Sequence, residues 1–172
     1  KPAAASAPAA APVAAAPTPS PTTIRINAGA TQPLTDTNGN VYVADTWNHT
    51  IRKITPAGVV STIAGFGGSM GIANGTNSAA RFSAPRAVAV DRAGIVYVAD
   101  ASGIRQITPL GTDWVVGTIA NGFTGNGLAV DSVGNLYVAD TGNFTIRKIT
   151  PVGTHWVGST IAGRAGLPGS TD

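Results

Sequence analysis

The chain reads as an all-β protein made of three stacked units, each of four short antiparallel strands. Three observations predict this. First, the stretch NGNVYVADTWNHTIRKITPAGVVSTIAG, beginning at Asn38, is written three times. The second copy runs through Gly94-Ile-Val-Tyr-Val-Ala-Asp100, Ile104-Arg-Gln-Ile-Thr-Pro109 and Thr118-Ile-Ala-Asn121. The third runs through Gly134-Asn-Leu-Tyr-Val-Ala-Asp140, Ile146-Arg-Lys-Ile-Thr-Pro151 and Thr160-Ile-Ala-Gly163. Self-similarity at roughly 40–50 residues marks stacked supersecondary units, none able to bury its own faces alone. Second, an aspartate precedes the Asp of each YVAD by the same nine residues: Asp36 and Asp45, Asp91 and Asp100, Asp131 and Asp140. Third, the composition suits strands. Of 172 residues, 22 are Gly, only 11% are charged, and all eight acids are Asp, while Val, Ile and Thr are plentiful.

Taken in order, residues 1–23 hold ten Ala and six of the twelve Pro. Proline this frequent removes backbone donors and forces the preceding residue towards extended geometry, so the segment is expected to be a polyproline-II spacer. Thr23-Ile-Arg-Ile-Asn27 alternates apolar and polar and is expected to form one edge strand. Gln32-Pro-Leu-Thr-Asp36 stands where Arg86-Ala-Val-Ala-Val-Asp91 and Gly127-Leu-Ala-Val-Asp131 stand later, and Pro33 and Thr35 make it a degraded first strand.

The four strands of a unit are then AVAVD, VYVAD, TIRKIT and VVSTIA, the last replaced by Trp114–Ala120 and Trp156–Ala162 in units two and three. The second strand is almost continuously apolar, as expected when both of its faces are covered. Val41, Val43, Val96, Val98, Leu136 and Val138 are therefore expected to be deeply buried, with Tyr42, Tyr97 and Tyr137 in equivalent places. Asp36, Asp91 and Asp131 each open a four-residue turn closed by Gly39, Gly94 or Gly134, where Asp bonds the backbone ahead and Gly takes positive φ. Pro56, Pro109 and Pro151 are placed just after the third strands, where a missing N–H costs little.

Four antiparallel strands per 40–45 residues is the size of a β-propeller blade. The expected organisation is an extended tail, residues 1–23, and a propeller segment, 24–172, with blades at about 32–65, 86–121 and 127–163. Three blades do not close a ring. Asp172 aligns with Asn74 in the long connection Phe66–Pro85, so the chain is expected to be either part of a longer propeller or a subunit closed by another chain.

YVADTxNxxIRKITPxG followed by STIAG, with AVD and GN ahead of it, resembles the bacterial NHL repeat over roughly residues 32–172. The resemblance implies β-propeller blades, commonly six to a ring. His49 stands where the family has His, but Thr50 and Thr145 replace its usual Arg, and Phe144 replaces His in the third unit. The second unit lacks this turn, with four residues from Asp100 to Ile104 against six from Asp45 to Ile51.

The candidate chemistry is sparse. Asp45, Asp100 and Asp140 recur at strand ends and suggest acids around a channel. A hard cation needs about six gathered oxygens, however, and an Asp before a turn has backbone N–H groups to accept. These residues are read as turn caps, and no metal or other cofactor is expected. His49 and His155 are the only histidines and occupy non-equivalent positions, which leaves no basis for a histidine metal site or a Ser-His-Asp arrangement. The chain has neither a P-loop nor a GxSxG elbow. With no cysteine, disulfides and thiolate metal sites are excluded. No apolar run approaches the ~18 residues of a membrane span. Asn48, Asn74 and Asn143 match the N-glycosylation sequon, although Asn is also the ordinary residue of such turns.

The expected function is that of a non-catalytic structural or interaction protein, secreted, periplasmic or on the cell surface. Its expected partner is itself, in a ring or a filament, with other proteins possible. One alternative is a share of a six-bladed lyase or lactonase. Another is a ligand sensor or an RNA-binding propeller, for which some members of the family provide a precedent. The net charge of +3 reflects few acids rather than a basic block. Arg52, Lys53, Arg105, Arg147 and Lys148 recur on third strands, yet no repeated aromatic is expected beside them for base stacking. RNA binding is therefore expected to be non-specific only and lost near physiological salt. Submicromolar, sequence-selective binding in a filter assay at that salt would overturn this.

Overall fold

The computed structural model describes residues 35–169. The tail at 1–23, the edge strand expected at 23–27 and Asp172 lie outside the described residues. Twelve strands follow in three antiparallel sheets, and no helix among them is long and apolar enough to cross a membrane. Blade 1 holds β1 (Val41–Asp45), β2 (Thr50–Ile54) and β3 (Val60–Gly65). Blade 2 holds β5 (Ala87–Val90), β6 (Val96–Asp100), β7 (Gly103–Leu110) and β8 (Asp113–Asn121), with the two-residue β4 (Gly75–Thr76) added outside β8. Blade 3 holds β9 (Gly127–Val130), β10 (Leu136–Asp140), β11 (Thr145–Val152) and β12 (His155–Gly163). These are β-propeller blades, each wound from an inner strand outwards.

Two elements differ from the sequence expectation. The first strand of blade 1 is reduced, among the described residues, to the single bridge Thr35–Val41. Pro109 and Pro151 lie inside β7 and β11, opposite Trp114 and Trp156, whereas Pro56 follows β2 as expected. The hairpins of blades 2 and 3 are three residues longer than that of blade 1. In blade 2, β6 begins with Val96 opposite Ile107, so Pro109 has no strand on its other side to bond with.

Register repeats closely. In every blade the third and fourth strands shift by one residue just before the recurring arginine: at Ile51/Arg52, Ile104/Arg105 and Ile146/Arg147. Such a bulge bends the strand and re-aims its neighbours. It leaves Ile63, Ile119 and Ile161 as the unpaired residues of the outer strands.

The core lies between blades. One cluster joins Tyr42, Ile51 and Ile63 of blade 1 to Val96, Val98, Ile107 and Val116 of blade 2. A second joins Tyr97, Ala99 and Ile104 of blade 2 to Leu136, Val138 and Ile149 of blade 3. Tyr42 meets Trp114 edge-on, with centroids 6.0 Å apart, and Tyr97 meets Trp156 in the same way at 6.1 Å. Each of the strands β5 to β8 of blade 2 therefore contributes residues to both interfaces, and those of blades 1 and 3 to one.

This corrects the expected core. Val96, Val98, Leu136 and Val138 are fully buried, but Val41 and Val43 are only half-buried, and so is Tyr137. The reason is alternation. β6 lies in the middle blade and is buried at all five positions. β1 buries Tyr42, which faces blade 2, while β10 buries Leu136, Val138 and Asp140, which face blade 2 from the other side. Full burial of a large apolar side chain contributes roughly 1.5–3 kcal/mol, so blade 2 gains most.

Equivalent residues should then differ in energy by position alone. In dilute solution, Ile107→Ala is expected to cost about 2–5 kcal/mol, and Ile54→Ala, its half-buried counterpart, less than half as much. Urea unfolding of the two variants checks this. Equal costs would mean that the outer face of blade 1 is covered.

Candidate functional site

The polar framework begins at the inner turns. Asp36 Oδ1 accepts the backbone N–H groups of Asn38 and Asn40, both at 2.9 Å, and its Oδ2 accepts Asn40 Nδ2 and the Tyr42 hydroxyl. Asp131 accepts Val133 N, Asn135 N, Asn135 Nδ2 and the Tyr137 hydroxyl in the same pattern. Asp91 accepts Ala93 N, Ile95 N and the Tyr97 hydroxyl. Gly39, Gly94 and Gly134 close these turns at φ of 74°, 81° and 87°, a region that side-chain-bearing residues avoid. Each aspartate thus ties the first strand to the second-strand tyrosine, which for Asp36 and Asp91 is the one that crosses to the next blade. Desolvation and the Asp contact push the Tyr42 and Tyr97 hydroxyls up, which keeps them protonated donors.

The second aspartate of each unit caps the turn after the second strand. Asp45 accepts Asn48 Nδ2, and Asp140 accepts Asn143 Nδ2 together with Thr124 N and Thr124 Oγ1. Asp100 accepts Ser83 N, Ser102 N, Ser102 Oγ and Gly103 N. In blades 1 and 3 the turn ends on a left-handed residue, His49 at φ 56° or Phe144 at φ 58°. Blade 2 omits this turn, and Asp100 pairs directly with Gly103. His49 Nδ1 accepts the Ala84 N–H, a contact across the blade 1–2 boundary. Among the described residues, no three His or Asp side chains gather in a way that would hold a metal ion.

The cations do not make one basic face. Asp100 and Arg105 form a buried ion pair at 3.4 Å. Arg105 also donates to Arg81 O, Ala73 O and Asn74 Oδ1, and lies over Phe82. Burial pushes its guanidinium down in pKa and Asp100 pushes it back up. Arg52 donates to Thr62 Oγ1, Arg147 lies over Phe123, Lys53 over Trp114 and Lys148 over Tyr137. Aromatics do accompany the cations, contrary to the sequence expectation. They come from other strands and connections, where a local pattern does not reveal them.

Phe82-Ser83 and Phe123-Thr124 were missed in the sequence. In both pairs the aromatic stacks on the third-strand Arg and the next N–H reaches the second-strand Asp. Their offsets to Asp100 and Asp140, 18 and 17 residues, were the available signal. The sequon residues are also engaged. Asn48 and Asn143 hold the turn aspartates, and Asn74 Oδ1 accepts Arg105 Nη2 and Thr118 Oγ1.

What remains uncovered is two blade faces. On blade 3, Ile146 is 41% exposed, whereas its equivalents Ile51 and Ile104 are 0% exposed. Ile161 is exposed, and Tyr137 and Ala139 are half-buried beside it. On blade 1, Val60 is 49% exposed against 2% for Val116, and Val41, Val43 and Ile54 are half-buried.

With this geometry in view, comparison with known proteins is informative. The NHL repeat family model matches residues 35–54 and 126–149. The chain carries NHL repeats at these two positions, and they coincide with the inner strands of blades 1 and 3. The unmatched unit is the one without the six-residue turn. No curated protein matches the chain. A solved structure of a structural genomics protein of unknown function from Bacteroides thetaiotaomicron VPI-5482 is similar, with a TM-score of 0.57 and 21% identity. The similarity covers 70% of this chain and 33% of that one, so the chain spans about a third of that protein's length. The class is a β-propeller segment built of NHL-like blades.

The turn aspartates generate a pH dependence. For Asp36, desolvation raises the pKa, but the bonds from Asn40, Tyr42 and Asn38 outweigh it and hold the carboxyl below its ordinary 3.8. For Asp131, the Asn135 side chain is the largest influence, and the result is again below 3.8. A depressed folded pKa adds stability above the unfolded value, and that stability is lost as pH falls through the folded one. Melting temperature is expected to drop on acidification below about pH 4. In an Asp36→Ala/Asp131→Ala variant it should start lower at neutral pH and fall less steeply. An unchanged acid slope in the variant would rule these two groups out.

Proposed function

We propose that this protein is a non-catalytic structural or interaction component that works by joining blade to blade through its two uncovered faces. One observation carries the reading. The face of blade 3 formed by Tyr137, Ala139, Ile146 and Ile161 corresponds to the face that blade 1 buries on blade 2. The face of blade 1 formed by Val41, Val43, Ile54 and Val60 corresponds to the one that blade 2 buries on blade 1. The two halves of one interface type, buried twice inside the chain, thus stand open at its two sides. A second copy fits them head to tail, closing a ring if the rotation allows and otherwise extending a filament. The non-catalytic reading is supported by the aspartates, whose acceptor positions are taken up by turns. A location outside the cytoplasm is proposed from the Ala/Pro/Thr composition of residues 1–23.

A second reading is favoured by the similarity extending over only a third of the solved structure's chain. Here further blades of a longer polypeptide cover the same two faces. Sedimentation of the intact chain, of Ile146→Lys and of Val43→Lys separates the two. Self-assembly predicts an associated species that either substitution disperses, and a dimer with a single junction when the two variants are mixed. A folded wild-type monomer at high concentration would sink self-assembly and favour the longer ring.

A further inference from the structure

The connection Phe66–Pro85 lies along the groove between the outer strands of blades 1 and 2, leaving a cavity beside Thr62, Asn77 and Trp114, and the matching groove between blades 2 and 3 has no such connection. In the first groove, the turn Asn77–Ala79 touches both β3 and β8, and β4 pairs through Gly75 and Thr76 with Val116 and Val115. Asn74 Oδ1 meets Arg105, while Ala80 and Phe82 close over Ile63 and Ala64, all four of them buried. In the second groove, the chain crosses from Asn121 to Gly127 in a few residues. Phe123 repeats the stacking role of Phe82 on Arg147, but nothing repeats Asn74, β4 or Ala80. The consequences are visible at each equivalent position. Ile119 and Ala120, counterparts of Ile63 and Ala64, are only partly buried. The outer edge of β12 is unpaired among the described residues. Arg147, counterpart of Arg105, has no hydrogen-bond acceptor and no carboxylate partner among the described residues, whereas the Nη atoms of Arg105 have four acceptors.

We infer that the groove between β8 and β12 is a binding site for an extended acidic peptide segment. The segment adds to the edge of β12 as β4 adds to β8, a mode in which backbone bonds give affinity and side-chain contacts give selectivity. It places a small apolar residue over Ile119 and Ala120, as Ala80 does over Ile63 and Ala64. The charge preference follows from the difference between the two arginines. Arg105 has Asp100 at 3.4 Å, and the neutral Asn74 suffices beside it. Arg147 has no such partner, so the ligand must bring the carboxylate, and a guanidinium–carboxylate contact is roughly twice as strong as a neutral one. Gly158 stands where β8 has Val116, and a Cβ there would lie 3.5 Å from Arg147 Nη2 and 3.7 Å from Phe123. The absence of that side chain leaves room beside the guanidinium.

The test titrates the intact chain with a synthetic peptide of residues 72–80 and with its Asn74→Asp and Asn74→Leu forms, followed calorimetrically. The Asn74→Asp peptide is expected to bind about tenfold tighter than the parent, and the Asn74→Leu peptide still more weakly. Arg147→Gln should abolish the Asp preference, and Gly158→Val should weaken all three peptides by filling the space beside Arg147. Arg92→Gln, an exposed cation elsewhere, should change nothing. Equal binding of the three peptides, an Asp preference that survives Arg147→Gln, or no binding to a wild-type chain that melts normally would each overturn the site.

Discussion

A four-stranded blade has two apolar faces and no means of burying either by itself. That constraint organises the rest of the structure. It explains why the second strand is apolar on both sides, and why the same isoleucine is inaccessible at 51 and 104 yet open at 146. It also explains the tyrosine–tryptophan contacts. Tyr42 and Tyr97 each send a ring across to the tryptophan of the following blade while the hydroxyl stays anchored to an aspartate of its own blade. A tyrosine suits this position because it joins a large apolar surface to a polar tip.

Polar contacts then fix how the blades sit. The turn aspartates satisfy the N–H groups that a tight bend would leave unpaired, and they do so within two to four residues of sequence. The Asp100–Arg105 pair is of another kind. Burying two charges is expensive, and their attraction compensates only when the remaining hydrogen-bonding positions are filled. Ser83, Ser102 and Gly103 fill those of Asp100, while Ala73, Asn74 and Arg81 take up the Nη atoms of Arg105 and leave its Nε unpaired among the described residues. The long connection supplies three of the acceptors around the arginine beneath it. Removing one charge would leave the other buried and uncompensated.

How much of this was legible in the sequence follows from where each signal sits. The blades and their inner turns were readable, because Asp36, Gly39 and Tyr42 act within a few residues of one another and recur at fixed offsets. The half-exposure of Val43 and Tyr137 was not. Their residue types are those of buried counterparts, and only the absence of a neighbouring blade distinguishes them. The pairing of Phe82 with Arg105 was likewise hidden, since the two are separated by most of a blade and meet only after the strands pair. Pro109 and Pro151 were misplaced because a hairpin longer by three residues lets a strand run on past its proline.

Repetition also separates scaffold from specialisation. Positions alike in all three blades, such as the turn aspartates and the arginine after each bulge, are accounted for by folding. Differences between equivalent positions call for another explanation. Gly142 is held so close to Thr124 that a Cβ there would collide with its hydroxyl. Trp47, at the same position of blade 1, projects with 87% of its surface open. Gly158 and Val116, and Arg147 and Arg105, are similar contrasts, with one member enclosed and the other free. A stacked-blade fold can alter such residues without disturbing its inner turns, because each blade contacts only its neighbours. Recognition in this protein is therefore expected to reside at the places where the three repeats disagree.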